Sequence, residues 1–175
     1  YPEGQGMVLA DYIESGKVKA VVSIGMNVMM WPNSNRLLSA MKNHLELFVH
    51  CDMFPTPTLD VAHVFFPAAT HLERQALITS GNGRLQYRPA AVDPRGEARG
   101  DTELLFALAR RLDLEGQFWN GDVHESFEER LQTSRVSFSD LPQNGQNINV
   151  KVDYPGEKSY EKNGFGTPTG KVEFV

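Results

Sequence analysis

The stretch Val18-Lys-Ala-Val-Val-Ser-Ile-Gly-Met-Asn27 constrains the fold more than any other. Val18, Ala20, Val21, Val22 and Ile24 form a short, β-branched, nearly unbroken apolar run. Such a run predicts a strand buried on both faces, as in parallel sheets. It stops at Gly25 and Asn27. Glycine reaches backbone angles closed to other residues and lets a ligand come close to the main chain. In open parallel sheets, ligands bind beyond the carboxyl ends of the strands. Gly25 and Asn27 are therefore candidate ligand contacts. An ordinary strand-to-helix turn would use the same residue types.

The surrounding pattern is an α/β alternation. Met7 to Ser15 reads as a short helix with Leu9 and Ile13 on one face and Gly16 as its stop. After the Gly25–Asn27 turn and a loop from Met29, Pro32-Asn33-Ser34-Asn35 offers N-cap candidates for a helix reaching about Asn43, with Leu37, Leu38 and Met41 on one face. Leu45 to Val49 lead into a second strand ending at His50-Cys51-Asp52. A turn of helix near Asp60–Ala62 precedes a third strand, Val64 to Phe66, closed by Pro67. The expected fold is α/β, a mostly parallel, Rossmann-like sheet flanked by helices over 1–88, followed by a helical segment and an irregular C-terminal extension.

Beyond residue 76 the pattern changes. Leu77 to Tyr87 reads as two extended pieces around Gly81-Asn82-Gly83. In the segment 89–133, Asp101 is placed to cap a helix bearing Leu104, Leu105, Leu108 and Leu112, with Arg110 and Arg111 suiting its C-terminus. A second helix is expected over His124 to Gln132. The remaining segment, 134–175, is polar, with short strands expected near Ile148–Val152 and Lys171–Phe174.

Composition removes several classes. A formal charge of −5 argues against a general nucleic-acid binder. No apolar stretch approaches the roughly 18 residues a membrane span needs, so no membrane contact is expected from this segment. One cysteine, Cys51, rules out an internal disulfide framework and any cysteine cage for zinc or iron–sulfur within the chain. The opening Tyr-Pro-Glu-Gly-Gln-Gly lacks both a leader pattern and a Met, which reads as an excised piece or a processed chain. Prokaryotic cytoplasm and periplasm both stay open.

His50-Cys51-Asp52 suggests a nucleophile, but adjacent strand residues point to opposite faces, so Cys51 reads as a small buried hydrophobe or a pocket lining. His63 and His71 lack evident co-ligands for a metal. Asp52 stands at the end of the second strand. A carboxylate there can accept from a ribose hydroxyl, or match a guanine edge, whose ring N–H and exocyclic amine are adjacent donors. It can equally start a turn. Neither GxGxxG nor GxxxxGK[ST] occurs.

Six segments fall in a recognisable order: Gly16 to Asn27, Trp31-Pro-Asn-Ser34, Asp52-Met-Phe-Pro-Thr-Pro-Thr58, Asp60 to Glu73, Gly83-Arg-Leu-Gln86 and Pro94 to Asp101. In that order the chain resembles the molybdopterin oxidoreductases, which carry molybdenum or tungsten on two pterin guanine dinucleotides and include formate dehydrogenases and dimethyl sulfoxide, nitrate and polysulfide reductases. Thr167-Pro-Thr-Gly-Lys-Val-Glu-Phe174 is similar to the segment leading into that family's C-terminal barrel. The resemblance implies an internal piece of a longer enzyme, holding the dinucleotide tail of one bis-molybdopterin guanine dinucleotide. Gly25 and Asn27 match the family's Gly-x-Asn turn. Asp52 and Thr56 match its Asp-x-x-x-Thr, expected at the guanosine, with Thr58 close by. It implies no catalytic residue and no metal ligand here. The metal site, any iron–sulfur cluster, the missing domains and any electron-transfer subunits would lie elsewhere. Val28 replaces the family's usual Pro. Glu73-Arg74-Gln75-Ala76-Leu77-Ile78-Thr79-Ser80 departs from its Glu-x-Asp-Gly-Thr-Phe-Thr-Asn. A stand-alone nucleotide-binding or interaction module, and a small nucleotide-dependent enzyme, are the rival readings.

Overall fold

The structure, a computed structural model, describes residues 8–151 and 158–173. Met7, Val152 and Phe174, which begin or end elements expected from sequence, lie outside the described residues. The first unit runs α1 (Leu9–Glu14), β1 (Ala20–Ile24), α2 (Ser34–His44), β2 (Leu47–Asp52) and β3 (Val64–Pro67). The three strands form one parallel sheet in the order β1-β2-β3. Ser23 stands opposite His50, Ile24 opposite Cys51, and Cys51 opposite Phe66. The fold class is thus α/β with a parallel sheet, as the alternation predicts.

One face of this sheet is covered. Ile13 of α1, Leu37, Ala40 and Met41 of α2, Val28 and Phe48 bury their side chains together, with Val21 packed against them. Apolar burial of this kind supplies most of the folding drive, about 25 cal/mol per Å² removed from water. Arg36 of α2 binds Asp11 and Glu14 of α1, so the two helices are tied at the surface. Asn33, just before α2, is left-handed (φ 56°) and its side chain makes no cap bond. Asn tolerates that region better than most residues.

The opposite face differs from expectation. A strand buried on both sides was predicted, yet Val22 is 45% and Ile24 38% exposed. Val64 and Phe66 are exposed beside them. Within the described residues both α1 and α2 lie on the other face. What approaches this one is α3 (Asp101–Arg111), which stands off across a cleft. The leucine face read on α3 is partly exposed: Leu105 and Leu108 border the cleft, while Phe106 and Ala109 are the helix's buried residues. Gly100, not Asp101, occupies the cap position; Asp101 begins the helix and pairs with Arg74 at 3.4 Å.

The Gly-Asn-Gly signal forms a hairpin of β4 (Ala76–Thr79) and β5 (Arg84–Arg88). β6 (Asn147–Asn149) adds to β5, giving an antiparallel sheet ordered β4-β5-β6. It meets α4 (Val123–Leu131) around Leu77, Leu85, Tyr87, Phe127, Leu131 and Leu141. The expected strand near Ile148 is therefore present and anchors the polar tail to the hairpin. Residues 171–173 form no strand; a short helix, α5 (Tyr160–Asn163), precedes them.

Candidate functional site

The carboxyl edge of the parallel sheet carries two loops. At the end of β1, the Gly25 N–H donates to the Cys51 carbonyl at 2.8 Å, so the ladder runs on into the turn. Gly25 then turns with φ +63°, a conformation that strains most residues with a Cβ. Asn27 accepts from the Met29 N–H through Oδ1 at 3.2 Å and so caps the 3₁₀ turn Val28–Met30. No described residue engages its amide NH₂.

The second loop follows β2. Asp52 Oδ1 accepts from the N–H groups of Met53 and Phe54 at 2.6 and 3.3 Å. The Asp52 carbonyl accepts from Ala68 N–H. This residue therefore does start a turn, the local role its residue type allows. Its Oδ2 is differently placed: His50 Nε2 lies 3.7 Å away, beyond hydrogen-bond length. Thr56 precedes the 3₁₀ turn Pro57–Val61, and its hydroxyl oxygen is buried with no hydrogen-bond partner.

Thr58 joins the two loops. It is fully buried, and its Oγ1 accepts from Val28 N–H at 2.9 Å. The structure thus brings Gly25, Asn27, Asp52, Thr56 and Thr58 to one edge. It leaves Thr58 inside, where it fixes the Asn27 loop rather than facing solvent. Met30 and Phe54, both strongly exposed, border the loops.

Two further residues lie beneath: Ser23, which the sequence did not flag, and His50, flagged there only with Cys51 and Asp52 as a nucleophile set. Ser23 Oγ sits 2.8 Å from His50 Nδ1, and both residues are buried. Ser23, His50 and Asp52 share one face because strand side chains alternate and because β1 pairs with β2 in the observed register. Burial pushes the His50 pKa down, partly offset by Asp52. Burial also pushes the Cys51 thiol up, helped by Asp101 and Asp52. Cys51 lines the cleft under α3, in keeping with the pocket-lining role read from its position; that cleft, of about 690 Å³, is bordered by Val22, Val49, Phe66, Leu104 and Leu108. His63 Nδ1 accepts from Phe48 N–H, a structural use. Among the described residues no group of three His, Cys, Asp or Glu stands together as a metal cage.

The sequence model of the molybdopterin oxidoreductases matches residues 1–111, well over half the chain. The chain belongs to this family. Among similar proteins of the family's kind, the NADPH-Fe(3+) oxidoreductase subunit alpha of Geobacter sulfurreducens is 37% identical over 106 residues, covering 60% of this chain and 12% of its own. A nitrate reductase of Synechocystis is 34% identical over 127 residues, covering 67% of this chain and 18% of its own. In structure, the acetylene hydratase from Pelobacter acetylenicus superposes with a TM-score of 0.74 at 26% identity over 95% of this chain and 23% of its own. The chain therefore spans less than a quarter of these relatives' lengths. Membership in the family implies a molybdopterin cofactor with molybdenum or tungsten. The polar groups at the sheet edge, a carboxylate, an amide and hydroxyls, can hydrogen-bond the polar atoms of such a cofactor.

Proposed function

We propose that this chain holds the guanine dinucleotide end of one pterin of a bis-molybdopterin guanine dinucleotide, as part of a larger oxidoreductase whose metal site lies in other domains. The carrying observation lies at the sheet edge: Thr56 Oγ1 is buried with no hydrogen-bond partner, and Asp52 Oδ2 stands 3.7 Å from His50 Nε2, outside hydrogen-bond length. A buried hydroxyl left unpaired costs free energy that a ligand donor or acceptor recovers. In this reading Asp52 accepts from the guanine ring N–H and exocyclic amine, the Asn27 amide and Thr56 hydroxyl take the sugar or base, and Gly25 lets the main chain come close. Backbone N–H groups at the start of α2 face phosphate oxygens, as helix N-termini do. The metal, when present, supplies the redox chemistry, and the protein orients the cofactor and keeps water out.

The apolar outer face of β1–β3 supports a larger polypeptide over a stand-alone module, because parallel sheets are normally covered on both faces. Calorimetric titration with GDP and ADP tests the assignment. GDP binds more tightly, and Asp52→Ala removes that preference by tenfold or more, the scale of a hydrogen bond to a charged group (about 1.5–3 kcal/mol). Equal affinity for the two nucleotides in the parent protein would end the guanine reading.

A further inference from the structure

His50 is fully buried, at 0% exposure, yet its Nε2 has no hydrogen-bond partner. Its ring lies beside Phe48 and Phe65, whose centroids are 5.9 and 6.0 Å away. A fully buried polar ring beside two phenyl groups has few places to send its two nitrogens. One, Nδ1, meets Ser23 Oγ at 2.8 Å; the other lies 3.7 Å from Asp52 Oδ2. A bare Nε2 lone pair facing a carboxylate would be repelled. A proton on Nε2 is attracted, and it obliges Nδ1 to accept from the Ser23 hydroxyl. Local partners decide histidine tautomers in this way.

We infer that Ser23 and His50 are positioning residues for Asp52: Ser23 Oγ–H donates to His50 Nδ1, this fixes the Nε2–H tautomer, and Nε2–H orients the Asp52 carboxylate for the donor pair of a guanine edge. This rests on the assignment of Asp52 to guanine. Asp52 Oδ1 is held from the other side by Met53 and Phe54 N–H. With Oδ1 hydrogen-bonded and Oδ2 drawn toward Nε2 across 3.7 Å, the carboxylate favours one orientation, and its outer lone pairs are left for the ligand. Asp52 is the charged group whose field acts on His50, and burial outweighs it. His50 therefore works as a neutral donor at neutral pH.

Nitrogen NMR of the purified protein labelled with ¹⁵N-histidine, with the His50 signals assigned through His50→Gln, reads the tautomer directly. The Nε2–H form is expected at pH 7, and Ser23→Ala is expected to admit the other tautomer. The ratio of GDP to ADP affinity is the second reading. His50→Leu lowers it about tenfold. His50→Gln, whose amide NH₂ can reach the place of Nε2–H, restores most of it. A His50 ring carrying its proton on Nδ1 overturns the relay whatever the nucleotide results. So does a wild-type guanine preference that survives His50→Leu, which leaves the proposed cofactor assignment standing. A wild type with no guanine preference refutes both the guanine reading and the relay's role in it, even if the Nε2–H tautomer is found.

Discussion

At the scale of single residues, Thr58 shows how a side chain can serve a site without touching its ligand. Its hydroxyl is the partner of a buried N–H, that of Val28. Thr58→Val keeps the shape and leaves that donor unpaired, which costs about 1–3 kcal/mol. Urea unfolding should show the loss, and nucleotide affinity should weaken with it as the Asn27 loop loosens. Cys51 gives a second check. It is 1% exposed, and burial holds its thiol above the ordinary range, so little thiolate exists near neutrality. A disulfide reagent such as Ellman's should react slowly with the native protein at pH 8 and rapidly in denaturant. Rapid native modification would mean that the cleft opens freely.

Among the elements, α1 and α2 are joined by Arg36 with Asp11 and Glu14. The Arg36 hydrogen bond holds the Glu14 carboxyl below its ordinary pKa. A carboxylate whose pKa is depressed on folding adds stability above its unfolded value, and that stability is lost as pH falls through the folded one. Arg36→Ala should therefore melt slightly lower than wild type at pH 7, with the gap closing once the pH drops below the ordinary carboxylate range. The effect is small because these groups are exposed. The start of α4 offers a larger one. Asp122 accepts from the N–H groups of His124 and Glu125 at 2.7 and 3.1 Å. Asp122→Ala should cost about 1 kcal/mol of stability, as N-cap losses do, measurable by thermal or chemical denaturation.

For the whole molecule, the informative surface is the apolar face bearing Val22, Ile24, Val64 and Phe66. Contiguous exposed apolar surface marks interaction sites. In the proposed larger enzyme it is where further polypeptide packs. On its own the protein should self-associate through this face, and Val22→Thr combined with Val64→Thr should shift sedimentation velocity profiles toward monomer. Unchanged association would place the contact elsewhere.

Much of this architecture is local and so was legible in the residues. The β-branched run ending at Gly25, the helix before β2, and the Gly81-Asn82-Gly83 hairpin each follow from neighbouring residues whose backbone preferences agree. So does the gathering of Gly25, Asn27, Asp52 and Thr56 at one edge, since parallel strands joined by short links must end together. The sequence by itself determined the order of elements, the turn at Gly25 and the acid closing β2. Only the tertiary structure decided three things: that one sheet face stays open, that Thr58 turns inward, and that Ser23 and His50 meet beneath Asp52. Each depends on which strand lies beside which, in what register, and on what covers the sheet. Those are contacts between residues far apart in the chain, and no local preference encodes them.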